Sequence, residues 1–341
     1  MYRLATCFWV SDCTHSTGFV GCAEYTALII LNYNNYEDTL SCIDSVEAYN
    51  TAPVKYIVVD NGSTREDTVA ALDKALKQKF CNDYICLKAG QHLPNLLPKL
   101  TFVINPKNEG YAVGNNHGLK LASDDDSIKY IMILNNDVLF VEDIIPKLLE
   151  AKAKLPDCAI ISPALYKKDM SDYDTTCARL APSPWSLIKE CLMVGMNNNH
   201  YRDVLKKKYW LFVKDPKLKN AEILEIEMPS GSCMLIEKSL FEKIGYFDTH
   251  TFLYFEENIL YSKIYSRGLK NYLLPQLSCI HLGASSTKRE PGYFIQKCGL
   301  DSRTYYLKAY CHLNLLEKII YAVAYGLMSF RLFALKNLKH R

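Results

Sequence analysis

Apolar residues in this chain gather in short runs separated by amphipathic stretches. Thr26–Leu31 (TALIIL) is unbroken and Val54–Val59 nearly so, as expected of strands buried on both faces. Between them, Tyr36–Tyr49 carries Leu40, Ile43, Val46 and Ala48 at near-helical spacing. The alternation continues. Phe102–Ile104, Tyr130–Leu134 and Ala159–Ile161 read as strands. A helix through Leu76, then Gly110–Leu121 and Val141–Lys154, read as the intervening helices. Further on, strands are predicted at Leu224–Ile226, Cys233–Ile236, Tyr272–Leu274 and Ser278–His281, with helices at Glu237–Ile244 and Phe255–Arg267. Strands alternating with helices predict an α/β fold, a mainly parallel sheet with helices on both faces.

Three regions depart from this rhythm. Residues 1–25 have neither period, and Ser11, Asp12 and His15 break their apolar stretch, so a signal peptide is not expected. Residues 166–222 hold Pro182, Pro184, an Asn run (197–199) and a Lys run (206–208), and read as an insertion that shapes a pocket or a partner surface. Residues 291–341 read as a helical extension. Its uncharged run, Ile319–Phe330, falls short of the ~20 residues needed to span a bilayer. Lys318, Arg331, Lys336, Lys339 and Arg341 surround it. A basic helix on an anionic membrane face fits that pattern, and so does a terminal helix packed in the core or between subunits. The expected organisation is an extension over 1–25, a catalytic domain over 26–290 and a helical region over 291–341.

Composition narrows the function classes. Forty Lys and Arg against 37 Asp and Glu leave a formal charge of +3 across 341 residues. That balance argues against a dedicated nucleic-acid binder. Thirteen scattered cysteines contain no CxxC pair. They suggest a reduced, cytoplasmic protein rather than a disulfide framework.

The polar chemistry falls at strand ends: Asn34, Asp60, Asn105–Gly110 and Asn135–Asp137. Open α/β sheets bind ligands there. There is no GxxxxGK[ST] loop, and no GxGxxG follows the first strand, which disfavours P-loop phosphoryl transfer and dinucleotide binding. Asp137, after Asn135 and Asn136, suits a hard divalent cation whose remaining ligands come from a diphosphate. Asn-Asn-Asp is equally a common turn. Asp60 can hold a base N–H or a ribose hydroxyl, or serve the turn into the next helix. Glu256 and Glu257 open a helix, where a carboxylate stays ionised and can act as general base. Surface acids at a helix start would look the same. His281 ends a strand as a structural imidazole, a metal ligand or a phosphate partner.

In order, LIILNYNNYEDTLSCIDSV (28–46), IVVDNGSTRED (57–67), NEGYAVGNNHGLK (108–120), YIMILNNDVLF (130–140), PSGSCMLIEKSLFEKIGYFDTHTFLYFEEN (229–258) and CIHLGASS (279–286) resemble the family 2 inverting glycosyltransferases. The likeness is nearest to the bacterial rhamnosyltransferase-like branch that builds surface polysaccharides. It spans about 26–286 and implies the GT-A fold. Position by position it implies that Tyr33, Asn34 and Asp60 hold the nucleoside. It also implies that Asn108, Gly114 and Asn115 line the nucleotide and sugar pocket. Asn135-Asn136-Asp137 stands at the family's DxD motif, so Asp137 would bind Mg2+ or Mn2+ and diphosphate. His281 would complete that site. Glu257 stands at the usual position of the catalytic base, with Glu256 the alternative.

The sequence departs from the pattern at Asn135, where Asp is usual, at Glu257, where Asp is frequent, and at Ile259, often acidic. The resemblance implies one inverting displacement that moves a sugar, rhamnose in the nearest branch, from a nucleotide-diphosphate sugar to a hydroxyl of a glycan or lipid-linked acceptor. Catalysis is expected at the inner face of the cell membrane, with residues 315–341 as its peripheral contact. Two other readings stay open at this point: a silent nucleotide-sugar-binding subunit, and a nucleotide-sugar hydrolase or nucleotidyltransferase on a similar sheet.

Overall fold

The computed structural model describes residues 24–93, 96–193, 199–283 and 292–338. Nearly all of the N-terminal extension, part of the Asn run, Ser285, Ser286 and the last basic residues lie outside them.

The first half winds as its pattern predicts. Strands β1 (Tyr25–Asn32) and β2 (Val54–Asn61) flank helix α1 (Tyr36–Tyr49), and α2 (Thr68–Phe80) follows. Then come β3 (Tyr84–Lys88), β4 (Leu100–Asn105), α3 (Gly110–Ser123), β5 (Ile128–Asn135), β6 (Val138–Phe140), α4 (Ile145–Ala153) and β7 (Cys158–Lys167). Within 166–222 the described residues include helices α5 (Pro184–Met193), α6 (Asn199–Tyr209) and α7 (Leu211–Lys214). The chain returns to the sheet through β8 (Leu224–Ile226), β9 (Cys233–Glu237), α8 (Lys238–Lys243), α9 (Glu256–Tyr265) and β10 (Lys270–His281). It ends in α10 (Gly292–Ala309) and α11 (Leu315–Leu338).

Among the described residues these strands make one ten-stranded sheet, in the order β3-β4-β2-β1-β5-β9-β7-β10-β6, with β8 paired to β10. β3, β4, β2, β1 and β5 are mutually parallel, and β9 runs antiparallel to both β5 and β7. Two-sided burial explains the unbroken apolar runs. Leu28 and Ile30 of β1 enter one apolar cluster with Tyr56 and Val58 of β2, while Ala27 and Ile29 enter the other with Ile57 and Val59. This is the period-2 alternation of a strand covered on both faces. Gly118 of α3 completes the fit, because a Cβ there would lie 2.9 Å from Ile29 Cγ2.

The structure corrects the expected elements at several points. β3 is an edge strand with one buried residue, Leu87, so its sequence carries little apolar signal. The helix expected from Val141 starts at Ile145, with Pro146 in its first turn. The segments expected as two strands at 272–274 and 278–281 are one strand, β10, whose pairing with β7 slips between Leu274 and Ser278. A third apolar cluster joins Leu187, Ile188 and Cys191 of α5 to Ile259, Leu300, Tyr306, Leu307, Tyr321 and Met328, so the inserted segment and the C-terminal helices pack together. The ten cysteines among the described residues are all free thiols.

Candidate active site

The carboxyl ends of β1, β2, β4 and β5 carry an asparagine-rich network. Asp60 is fully buried and accepts from Asn32 Nδ2 (2.7 Å), Ser63 N (3.0 Å) and Ser63 Oγ (2.6 Å). Asn34, at φ 58°, accepts from Thr64 N and Arg65 N, both at 2.7 Å. Asn61 donates to Asn108 Oδ1 and to the Gly110 carbonyl, both at 3.0 Å, and accepts from Asn105 Nδ2. Two glycines make the close approach feasible. Gly62 sits at φ +70°, where a Cβ would lie 2.2 Å from the Lys107 carbonyl carbon. Gly110 sits at φ +86°, where one would lie 2.2 Å from the Phe252 carbonyl oxygen. Positive φ and these contacts admit only glycine.

Beyond these strand ends lies a cavity of about 360 Å³. Tyr33, Asn108, Asn135, Asn136, Asp137 and His281 all line it, six of the residues singled out in the sequence. Asn34, Asp60, Gly114 and Asn115 do not. Asp60 and Asn34 instead support the turn behind the cavity. Gly114 packs α3 against the sheet, where a Cβ would meet Leu31 Cδ1 at 2.7 Å and the Asn61 amide at 3.0 Å. Asn115 is buried and donates to the Tyr111 carbonyl at 2.9 Å. Pocket lining expected of Gly114 and Asn115 is therefore corrected to helix packing beneath it.

Within Asn135-Asn136-Asp137 the three side chains do different work. Asn135 donates to Ser232 Oγ at 3.2 Å. Asn136 donates to the Asn35 carbonyl and Thr39 Oγ1, both at 3.1 Å, tying the loop to α1. Asp137 is left to face His281, whose Nε2 lies 3.5 Å from Asp137 Oδ2. Asp174 Oδ2 holds the other imidazole nitrogen, Nδ1, at 2.9 Å. Burial lowers the pKa of His281, but hydrogen bonds and the charges of Asp137 and Asp174 outweigh it and raise the value to about 9. Burial pushes the Asp174 carboxyl up. Its bonds to His281 and Thr176 bring it down to about 2.

This pair fits a divalent cation. Cis ligands of an octahedral ion sit roughly 3 Å apart, close to the 3.5 Å between Oδ2 and Nε2. A carboxylate on the far nitrogen is the usual support of a ligating imidazole. Among the described residues no third His, Cys, Asp or Glu completes a metal cluster, so the rest of the coordination would come from ligand and water oxygens. Asp174 was not found in the sequence because it lies within 166–222, far from any motif.

A second, larger cavity of about 770 Å³ adjoins the first, and Tyr254 and Ile295 line both. Its walls come from α5, α6, α10 and α11, and Glu257 projects into it. Glu257 Oε1 accepts from Gly231 N at 3.0 Å and lies 3.2 Å from an Arg179 guanidinium nitrogen. Two consecutive aromatic residues, Tyr254 and Phe255, hold left-handed φ angles of 73° and 70° just before α9. Non-glycine residues there cost about 1–3 kcal/mol each, and such strain clusters at functional sites. Glu256 lines neither cavity. It is buried, and desolvation followed by the charge of Glu257 raises its pKa to about 8. The two acids therefore differ: Glu256 is buried with its carboxyl shifted toward the protonated form, and Glu257 lines the larger cavity. Arg179, like Asp174, lies in the inserted region and carried no signal in the sequence. Gly231 lies inside the recognised PSGS run.

The family model described as Glycosyl transferase family 2 matches residues 27–245. An N-acetylglucosaminyl-diphospho-decaprenol L-rhamnosyltransferase of Mycobacterium tuberculosis is 27% identical over 239 residues, covering 70% of each chain. The low-salt glycan biosynthesis hexosyltransferase Agl10 of Haloferax volcanii is 24% identical over 231 residues, 68% of this chain and 58% of that one. Among solved structures, GalNAc-T7 with UDP, GalNAc and Mn2+ superposes with a TM-score of 0.54 at 14% identity, over 90% of this chain and 55% of the other. That likeness bears on the GT-A fold.

Proposed function

The chain belongs to glycosyl transferase family 2, and from that premise we propose that it moves a sugar, rhamnose or a related hexose, from a nucleoside-diphosphate donor to a hydroxyl of a lipid-linked or glycan acceptor, with inversion. The observation that carries this reading is the pair of adjoining cavities. The Asp137–His281 pair faces one and the carboxylate of Glu257 faces the other.

The donor nucleotide occupies the strand-end cavity, beside Tyr33 and the Asn61–Asn108 network. Asp137 and His281 would hold a Mg2+ or Mn2+ ion there, with Asp174 fixing the imidazole. When bound, that ion neutralises the charge of the leaving diphosphate. The acceptor enters the larger cavity. Glu257 takes the proton of its hydroxyl as that oxygen attacks the anomeric carbon from the face opposite the diphosphate. Glu256, buried and shifted toward the protonated form, does not compete for this role. Burial, followed by the charge of Glu257, keeps Tyr111 protonated, and its hydroxyl donates to the Gly231 carbonyl at 2.7 Å. That bond braces the turn whose amide holds Glu257.

Helix α11 fits work at a membrane surface. One face, with Tyr321, Ala324, Met328 and Leu332, is buried. The other leaves Leu316, Ile319, Val323, Leu327 and Phe330 more than half exposed. Lys318, Arg331 and Lys336 punctuate it. No helix among the described residues is long and apolar enough to cross a membrane. An amphipathic helix of this kind lies along an anionic interface, and a lipid-linked acceptor would meet the larger cavity there, on the cytoplasmic side.

The test is Glu257→Gln, assayed for sugar transfer beside thermal stabilisation by a panel of UDP-, dTDP- and GDP-sugars with Mn2+. Transfer should fall by about 100-fold or more. Stabilisation by the donor, about 2.7 kcal/mol at 100 times its dissociation constant, should remain. Transfer undiminished in the variant would remove Glu257 from the base role.

A further inference from the structure

A base is useful only if one of its lone pairs faces the incoming hydroxyl. Glu257 is oriented by two donors from outside its own helix, and both meet the same oxygen. Gly231 N lies 3.0 Å and an Arg179 Nη2 lies 3.2 Å from Oε1. Gly231 cannot easily be replaced, since a Cβ there would lie 3.1 Å from Tyr111 Oη and 3.3 Å from Glu257 Oε1. Arg179 is itself fixed at both ends. Its carbonyl accepts from Glu227 N (3.1 Å) and Met228 N (3.0 Å), and its guanidinium reaches the Pro229 carbonyl at 3.4 Å. It therefore bridges the inserted segment and the 227–231 loop to the carboxylate. It lines the larger cavity, and its side chain is mostly buried.

Resting on the reading of Glu257 as base, we propose that Arg179 is the positioning residue of that base. It pins Oε1 from the inserted segment so that Oε2 is presented to the acceptor hydroxyl. Arg179 Nε and Asn258 Nδ2 are buried donors with no hydrogen-bond partner among the described residues, and both residues line the cavity beside the carboxylate. Both nitrogens are closed off from the cavity, so Arg179 meets the site through its outer guanidinium nitrogen on Glu257. A cation also makes a neighbouring carboxylate a poorer proton acceptor. Positioning and basicity therefore pull the rate in opposite directions when Arg179 is removed, and the sign of the change tells which governs.

The experiment compares wild type, Arg179→Ala, Arg179→Lys and Glu257→Gln, all shown folded by thermal melting. It measures release of nucleoside diphosphate from the same UDP-, dTDP- and GDP-sugar panel, with a polyprenyl-diphosphate N-acetylglucosamine as acceptor. In Arg179→Ala, kcat should fall about 10- to 100-fold while the KM for the donor holds within about twofold. Lysine should restore part of the loss, and added guanidinium ion should partly rescue the alanine variant. An unchanged or higher kcat in Arg179→Ala would overturn the proposal. So would a loss that neither lysine nor guanidinium recovers, or one expressed only in the donor KM. Glu257→Gln separates the two readings. If it stays active, the base assignment fails and this inference falls with it. If it is inactive while Arg179→Ala is normal, only the positioning role fails.

Discussion

At the carboxyl ends of the parallel strands, polar side chains satisfy one another. Asn32, Asn61, Asn105, Asn108 and Asn136 exchange bonds within the loops that carry them. The larger cavity is different. Three of its lining residues, Arg179, Asn258 and Arg303, hold buried nitrogen donors with no partner among the described residues. The first region is preorganised by its own network and lines its cavity with Asp137 and His281, beside Tyr33 and several amides. The second is assembled from elements distant in sequence and keeps buried donors that no described residue satisfies. On the proposed reading, the region held by its own network takes the diphosphate that all such donors share. A site for a variable acceptor is built from insertions and terminal helices.

The sharpest break in this comparison is Asp137→Ala. It removes one of the two cavity groups that fit a cation and leaves the larger cavity untouched. Loss of charge stabilisation worth several kcal/mol lowers transfer on the order of 100-fold or more. Donor-dependent thermal stabilisation should lose its dependence on Mn2+. A variant that transfers sugar at the wild-type rate would show that the strand-end cavity does not carry the metal chemistry.

Next in size is a pH dependence. His281 is held as an imidazolium up to about pH 9 in the metal-free protein, so a cation must displace its proton. Mn2+ affinity should therefore rise by up to about tenfold per pH unit and level off near pH 9. Stability of the metal-free protein runs the other way. A raised imidazole pKa contributes stability in full below the ordinary value of about 6.5, and that contribution is lost as pH rises through about 9. Asp174→Asn removes one of the carboxylates that hold the proton. The plateau should move to lower pH, and affinity on the plateau should fall about tenfold. Titration calorimetry with Mn2+ at several pH values reads both, and a plateau that stays put would remove Asp174 from the site.

The same contrast explains what was legible in the sequence. Buried strands announce themselves by unbroken apolar runs, and their ends by the turn chemistry that follows, so β1, β2 and β5 and the residues Asn135–Asp137 could be read directly. Glu257 and His281 came with recognisable blocks. Asp60, Asn34, Gly114 and Asn115 were read at the right place in the chain, but the structure gives them supporting bonds or packing behind the cavity. A motif marks position along a strand, not the direction in which a side chain points. Asp174 and Arg179 were not legible. Each acts on a residue more than 75 positions away, His281 and Glu257, and no local period encodes a contact made across an insertion.

The smallest effect expected concerns the outer edge of the larger cavity, where Met328 and Arg331 of α11 line it while Leu327 and Phe330 face outward. If this face lies on an anionic membrane, replacing Leu327 and Phe330 by serine removes apolar area from the interface without entering the buried stripe of Tyr321, Ala324 and Met328. Full burial of such side chains contributes about 1.5–3 kcal/mol each, and interfacial burial is partial. Binding to phosphatidylglycerol vesicles should therefore weaken only roughly fivefold. Added salt should weaken it further through screening of Lys318 and Arg331. Transfer to a short-chain, water-soluble acceptor should not change, because neither residue lines a cavity. Co-sedimentation with vesicles and a transfer assay on the two acceptors separate the outcomes. Vesicle binding that is equal in variant and wild type would take α11 off the membrane and leave the larger cavity open to soluble glycans instead.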